Sequence, residues 1–247
     1  MRESRLIMGM PVHLEIVDAD VPAEAFEEVF EYFKSVDERF STYKHDSEIS
    51  RINRGEIATE TYSPEMKEVF QLASKTTQET NGYFSIRTPE GSIDPSGIVK
   101  GWAIQKAAEL LQARGYQNFY LEIGGDIQTR GQDPDGAEWS IGIRHPFTEG
   151  EIVKVVFPKG KGIATSGTYI RGNHIYNPHA KDEPVAFVSL TVIGPTVYEA
   201  DRFATAAFAM GEVGMTFLEQ LPGFEAYAID GSGIATMTSG FEIYTTP

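Results

Sequence analysis

The chain has 247 residues, 41% of them hydrophobic and 23% charged, the balance of an ordinary folded globular protein and not of a disordered or fibrous one. Its formal net charge of −15, with no long run of Lys or Arg, argues against nucleic acid as a partner. There is no cysteine, which excludes disulfides, thiolate metal ligands and cysteine nucleophiles, so any metal must take oxygen or histidine ligands.

Residues Met1 to Pro11 carry no apolar stretch of the length that a signal peptide or membrane span needs, and a cytoplasmic setting is expected, an exported form trimmed of its leader being the alternative. Val12, Leu14 and Ile16 alternate with His13 and Glu15 as in a half-buried strand. From Pro22 the apolar spacing changes to three and four, through Phe26, Val29, Phe30, Phe33, Val36 and Phe40, which predicts one long amphipathic helix. A polar segment from Phe40 to Asn53 follows. Ser63-Pro64-Glu65 is a helix start and Asn81-Gly82 a helix stop, and a third helix is expected from Ser96 to about Gly115. Strands are expected at Phe119 to Ile123, Trp139 to Arg144, Ile152 to Phe157 and Val185 to Ile193, then a helix pair between Tyr198 and Leu221, then closing strands at Ala226 to Ile229 and Ile234 to Met237. Strands and helices mix without regular alternation, which predicts an α+β fold with mixed, largely antiparallel sheets and packed helices, residues 1–247 forming a single domain.

Four clusters hold small and polar residues where a plain core would place large apolar ones. In Ser92 to Ala103, Gly97 and Gly101 bracket the first turn of a helix whose free amides and dipole favour an anion, with Lys100 adding a cation; a capped, closely packed helix start is the other reading. In Tyr198 to Ala207, Asp201 and Thr205 stand four apart on one helix face and can share one hard cation, although Asp201 alone also reads as an ordinary helix-start residue. Ile163 to Tyr169 and Arg171 to Pro178 read as strand, polar turn and strand, with His174 able to take a proton from an incoming hydroxyl. His13, His45, His145 and His179 read as structural. Tyr43, after the long helix, can stack on a ring system or cap the helix end, and Gly124-Gly125-Asp126 reads as a close-approach turn. No Gly-x-Gly-x-x-Gly follows a strand and no Walker loop is present, which disfavours a Rossmann oxidoreductase.

In this order the motifs resemble those of the ApbE family of FAD:protein FMN transferases. The resemblance rests on Met8-Gly9-Met10, Ser41-Thr42-Tyr43, Ser47 to Asn53, Asp94 to Gly101, Gly124 to Asp126, Ala164 to Gly167, His174 to Pro178 and Ala200 to Ala206. It implies an ApbE-like, T-fold-like architecture. It also implies Mg²⁺ held by the side chains of Asp201 and Thr205 and the backbone carbonyl of Gly97. FAD, as substrate, would be contacted by Met8, Tyr43, Asp94, Lys100, Tyr83, Phe84, Ser85 and Ile175, and His174 would be the base for the acceptor hydroxyl. The implied partner is an acceptor flavoprotein with a threonine- or serine-containing motif. The sequence departs from the family pattern at Met10, at Ser85 where the family has a carboxylate, and across Asn177 to Lys181. The competing readings are an FAD pyrophosphatase releasing FMN and AMP, a flavin-binding module without activity, and, more weakly, a redox flavoenzyme.

Overall fold

The computed structural model describes residues 1–168, 177–179 and 186–247. Strands β1 (Arg2–Ile7) and β2 (Met10–Ile16) open the chain as a hairpin. Its loop is Met8-Gly9 with φ of 57° and 71°, the left-handed pair that a two-residue turn between twisted strands demands. Helices α1 (Ala23–Phe40), α2 (Glu48–Asn53), α3 (Pro64–Glu79) and α4 (Ser96–Ala113) follow. Next come β3 (Phe119–Ile123), β4 (Asp126–Arg130), β5 (Ile141–Arg144), β6 (Ile152–Val156), β7 (Gly162–Gly167) and β8 (Phe187–Gly194). Helices α5 (Val197–Met210) and α6 (Glu212–Glu219) precede β9 (Glu225–Asp230) and β10 (Ala235–Met237).

Eight strands form one sheet in the order β1-β2-β3-β4-β7-β8-β9-β10, and every neighbouring pair is antiparallel. The halves of the sheet meet at β4 and β7, which are paired only at Ile127↔Ile163 and Gln128↔Gly162. The expected α+β class with largely antiparallel pairing is what the chain adopts. Phe26, Phe30 and Phe33 of α1 join Val12, Leu14 and Ile16 of β2 and Trp102, Ile104 and Ala107 of α4 in the larger core. A second core packs Phe203, Ala204, Ala207 and Phe208 of α5 on Leu190, Val192, Ala226 and Ala228. The opposite face of the sheet is covered by the β5–β6 hairpin and a C-terminal turn at Phe241–Tyr244, enclosing Ile127, Ile141, Ile143, Val156, Ile163 and Ile193. Strands covered on both sides lose the alternation of a half-buried strand, and β8 is accordingly buried nearly throughout.

Several expectations are corrected. β1 was not expected, because Arg2, Glu3, Ser4 and Arg5 suit an edge strand exposed on both faces better than an alternating one. The polar segment after α1 contains α2, whose N-cap Ser47 accepts the backbone N–H of Ser50 at 3.1 Å. Gly124-Gly125, φ 57° and 97°, is a tight turn as expected, but Asp126 belongs to the strand that follows it. The strand expected from Trp139 begins at Ile141, since the indole N–H of Trp139 is given to the Arg130 carbonyl at 3.1 Å. Among the described residues, no helix is long and apolar enough to cross a membrane.

Candidate active site

The close contact between α4 and α5 creates the site. An ideal Cβ at Gly101 would lie 2.6 Å from Asp201 Cβ and 3.0 Å from the Val197 carbonyl oxygen, so the absence of a side chain there brings the two helices together. The Gly101 N–H donates to Asp201 Oδ2 at 2.8 Å, linking residues 100 apart in sequence. Thr205 lies one turn further along α5 and faces Gly97, whose ideal Cβ would sit 3.9 Å from Thr205 Oγ1. At the start of α4, Asp94 Oδ1 accepts the Ser96 N–H at 3.0 Å, and Ser96 and Gly97 open onto a cleft.

That cleft has a volume of about 560 Å³, within the range of small-molecule sites. Its walls include Asp94, Gly97, Lys100, Asp201 and Thr205 on the helix side and Tyr83, Phe84 and Ser85 in the loop after α3. Gly9 and Gly124 from the two tight turns and Met10 at the start of β2 form part of its rim, with Glu122, Arg144 and Thr165 from the sheet and hairpin. Tyr83 makes an edge-to-face contact with His179, centroids 4.6 Å apart, and His179 Nε2 lies 3.0 Å from the Asn81 carbonyl oxygen.

The charges at the cleft floor are paired in a particular way. Lys100 Nζ lies 2.7 Å from Asp126 Oδ2 and 3.9 Å from Asp201 Oδ1. Asp126 is fully buried, and its Oδ1 accepts the Thr165 N–H at 3.2 Å. Burial pushes the Asp201 carboxyl up to about 8, helped by the facing Asp126 carboxylate and opposed by Lys100 and the Gly101 N–H. Among the described residues, no three His, Cys, Asp or Glu side chains gather as a metal cluster. The oxygen donors at hand are the Asp201 carboxylate, the Thr205 hydroxyl and the backbone around Gly97.

Of the site residues expected from the sequence, the structure therefore gathers Tyr83, Phe84, Ser85, Asp94, Gly97, Lys100, Asp201 and Thr205 around one cleft. Two are not in its walls: Met8 occupies the β1–β2 turn beside the rim, and Tyr43 is 99% exposed in the loop before α2. Tyr43 stands with its ring exposed, neither stacked nor buried against the end of α1. His174 and Ile175 lie outside the described residues. Lys100, expected as a cation for a bound anion, is in ion contact with Asp126. Asp126 itself was missed as a site residue.

A profile of the ApbE family matches residues 8–88 and 86–228. The chain belongs to the ApbE family. Curated ApbE relatives carry the name FAD:protein FMN transferase. One from Vibrio cholerae is 36% identical over 163 residues, covering 57% of this chain and 48% of that protein. One from Haemophilus influenzae is 28% identical over 273 residues, covering 83% and 79%. One from Escherichia coli is 29% identical over 167 residues, covering 63% and 47%. The chain thus spans about half the length of the Vibrio cholerae and Escherichia coli relatives in these matches. The fold is that of the flavin transferase ApbE from Vibrio cholerae, with a TM-score of 0.85 at 24% identity over 99% of this chain and 98% of that one. It is also that of the ApbE protein of Thermotoga maritima, with a TM-score of 0.86 at 19% identity over 100% and 99%.

Proposed function

We propose that this chain transfers the FMN half of FAD to a threonine or serine hydroxyl of an acceptor flavoprotein, releasing AMP, with Mg²⁺ as its metal. Membership of the ApbE family and the names carried by its relatives support the reading. The observation that carries it is the convergence of the α4 N-terminus, Lys100, Asp201 and Thr205 on one cleft.

The residues present fit a hard divalent cation. Asp201 is a buried carboxyl whose ionisation is disfavoured by burial and by the facing Asp126, so that a bound cation would favour its carboxylate form, and Thr205 adds a neutral oxygen on the same helix face. Asp201 and Thr205, with the Gly97 carbonyl, would hold the ion. Bound there with the substrate's diphosphate, Mg²⁺ would supply neutralisation of the charge that develops during phosphoryl transfer.

The chain's own part is positioning and proton handling. The Gly97 N–H in the first turn of α4 and the ammonium of Lys100 receive the diphosphate oxygens. Tyr83 and Phe84 offer an aromatic wall, and Asp94 a carboxylate, to the remainder of FAD. His174 takes the proton of the acceptor hydroxyl, whose oxygen forms the new bond to the phosphorus of the FMN half. The bond from that phosphorus to the AMP oxygen breaks, and AMP leaves.

The test is to incubate the protein with FAD, Mg²⁺ and an acceptor domain, reading flavin fluorescence on a denaturing gel and AMP in solution. Labelled acceptor with AMP is the expected result; AMP without labelled acceptor would replace the reading by an FAD pyrophosphatase, and neither product would reduce it to flavin binding. His174→Ala should lower transfer by about 10²- to 10⁴-fold, the usual worth of a positioned base, while FAD still binds. Loss of FAD binding in that variant would remove His174 from the base role.

A further inference from the structure

Lys100 stands between two buried carboxylates but does not share itself equally, lying 2.7 Å from Asp126 and 3.9 Å from Asp201. Asp126 is in turn fixed from the other side, since its second oxygen accepts the Thr165 N–H of β7. Asp201 is anchored differently: the Gly101 N–H engages Oδ2, and Oδ1 is the oxygen that looks toward the ammonium. An ammonium 3.9 Å from the ionised form of a buried carboxyl is strongly attracted to it. The shorter of the two contacts is the one with Asp126.

We propose that Asp126 is a positioning residue of the metal and diphosphate site: it draws the Lys100 ammonium away from Asp201, leaving Oδ1 of Asp201 to the divalent cation and keeping the ammonium at the cleft wall for the anionic substrate. The inference rests on the Mg²⁺ reading above. Asp126 need ligate nothing for this. Without its charge, Lys100 would close on Asp201 and occupy the place of the ion, so a residue that does not touch the metal controls its affinity.

The test uses the whole chain and Mn²⁺ alone as the probe, free Mn²⁺ being counted by electron paramagnetic resonance, with circular dichroism confirming that each variant is folded. Asp126→Asn keeps the shape and an oxygen for the Thr165 N–H. It should weaken Mn²⁺ binding by about 10- to 100-fold, the usual effect of losing a group that orients a metal ligand. The double variant Asp126→Asn with Lys100→Met should recover affinity, because the competing ammonium is gone, so the two substitutions are strongly non-additive. A crystal structure of Asp126→Asn without metal should show Lys100 Nζ within hydrogen-bond distance of Asp201 Oδ1. Unchanged affinity in Asp126→Asn, a double variant as weak as the single, or Lys100 unmoved in that crystal would each overturn the proposal. If the unaltered chain does not bind Mn²⁺, the metal reading falls first and the inference with it; binding by the unaltered chain, whatever the variants do, leaves the metal reading standing.

Discussion

Gly101→Ala inverts what the same change does in most helices. In the interior of an exposed helix, alanine in place of glycine stabilises by about 0.5–1 kcal/mol. Here the new methyl carbon would lie 2.6 Å from Asp201 Cβ, 2.9 Å from Asp201 Oδ2 and 3.0 Å from the Val197 carbonyl oxygen. Two of those three atoms belong to the framework of α5, which cannot swing aside as the end of a long side chain does. The helices must therefore separate, and overpacking of this kind costs about 1–3 kcal/mol. Set against the propensity gain, the net loss is about 1 kcal/mol at the middle of the two ranges and at most about 2.5 kcal/mol. At ~2–4 °C per kcal/mol for a domain of this size, the midpoint of thermal unfolding should fall by about 2–4 °C, and by no more than about 10 °C. Far-ultraviolet circular dichroism during a thermal ramp reads this directly. The same displacement moves Asp201 from the Gly101 N–H, so flavin transfer should fall further than stability explains. A Gly101→Ala protein melting at or above the parent temperature would refute the reasoning, because it would mean that α4 and α5 have slack where none is seen.

Asp201 has its folded value raised, so the native state keeps a proton that the unfolded chain releases, and the stability this confers is present at low pH and lost as pH rises from about 4 toward about 8. Asp201→Asn should remove that contribution to the slope: in metal-free buffer, its melting midpoint should gain on that of the parent as pH goes from 5 to 8, and parallel curves would contradict the assignment. The Arg202 guanidinium is buried, ion-paired to Glu79 of α3 and to Glu199 at 2.5 Å, and lies 3.9 Å from the Phe203 ring centre. Glu79 and Glu199 are partly exposed, so Arg202→Ala should cost about 1–3 kcal/mol in denaturant unfolding through lost packing and charge-assisted hydrogen bonds, and a loss below ~0.5 kcal/mol would show the guanidinium to be dispensable. Tyr43→Ala should leave FAD affinity within about 2-fold of the parent in a fluorescence titration, as expected of a side chain outside the cleft walls; a larger loss would mean that FAD binding folds this loop inward.

The helices were the most legible part of the sequence. α1, α3 and α4 carry strong periodicity or recognisable starts, Ser63 capping α3 through the Met66 N–H at 3.1 Å as its Ser-Pro-Glu signature predicts. β1 and β4 were not legible, for opposite reasons: an edge strand can be polar on both sides, and a strand buried on both sides shows no alternation. The spacing of Asp201 and Thr205 places them on one face whatever the fold, so that pair could be read locally. Asp126 could not, since its meaning comes from Lys100 on α4 and Thr165 on β7, which only the tertiary structure brings near. The glycines before it drew attention to the turn. The available clue was that an aspartate follows them directly into a strand.

The narrow join between β4 and β7 bears on the order in which the molecule assembles. Local hairpins can form β1–β2 and β3–β4 on one side and β8–β9 and β9–β10 on the other, whereas the β2–β3 pairing needs distant parts of the chain to meet, and the β4–β7 join offers few ladder bonds to reward its closure. The cleft draws Gly97, Lys100 and Glu122 from one side of that join and Thr165, Asp201 and Thr205 from the other, and Asp126 reaches across it to the Thr165 N–H. Neither half alone carries a binding site. A ligand seated there therefore grips a boundary that few ladder bonds hold, and stabilises the folded chain by binding across it.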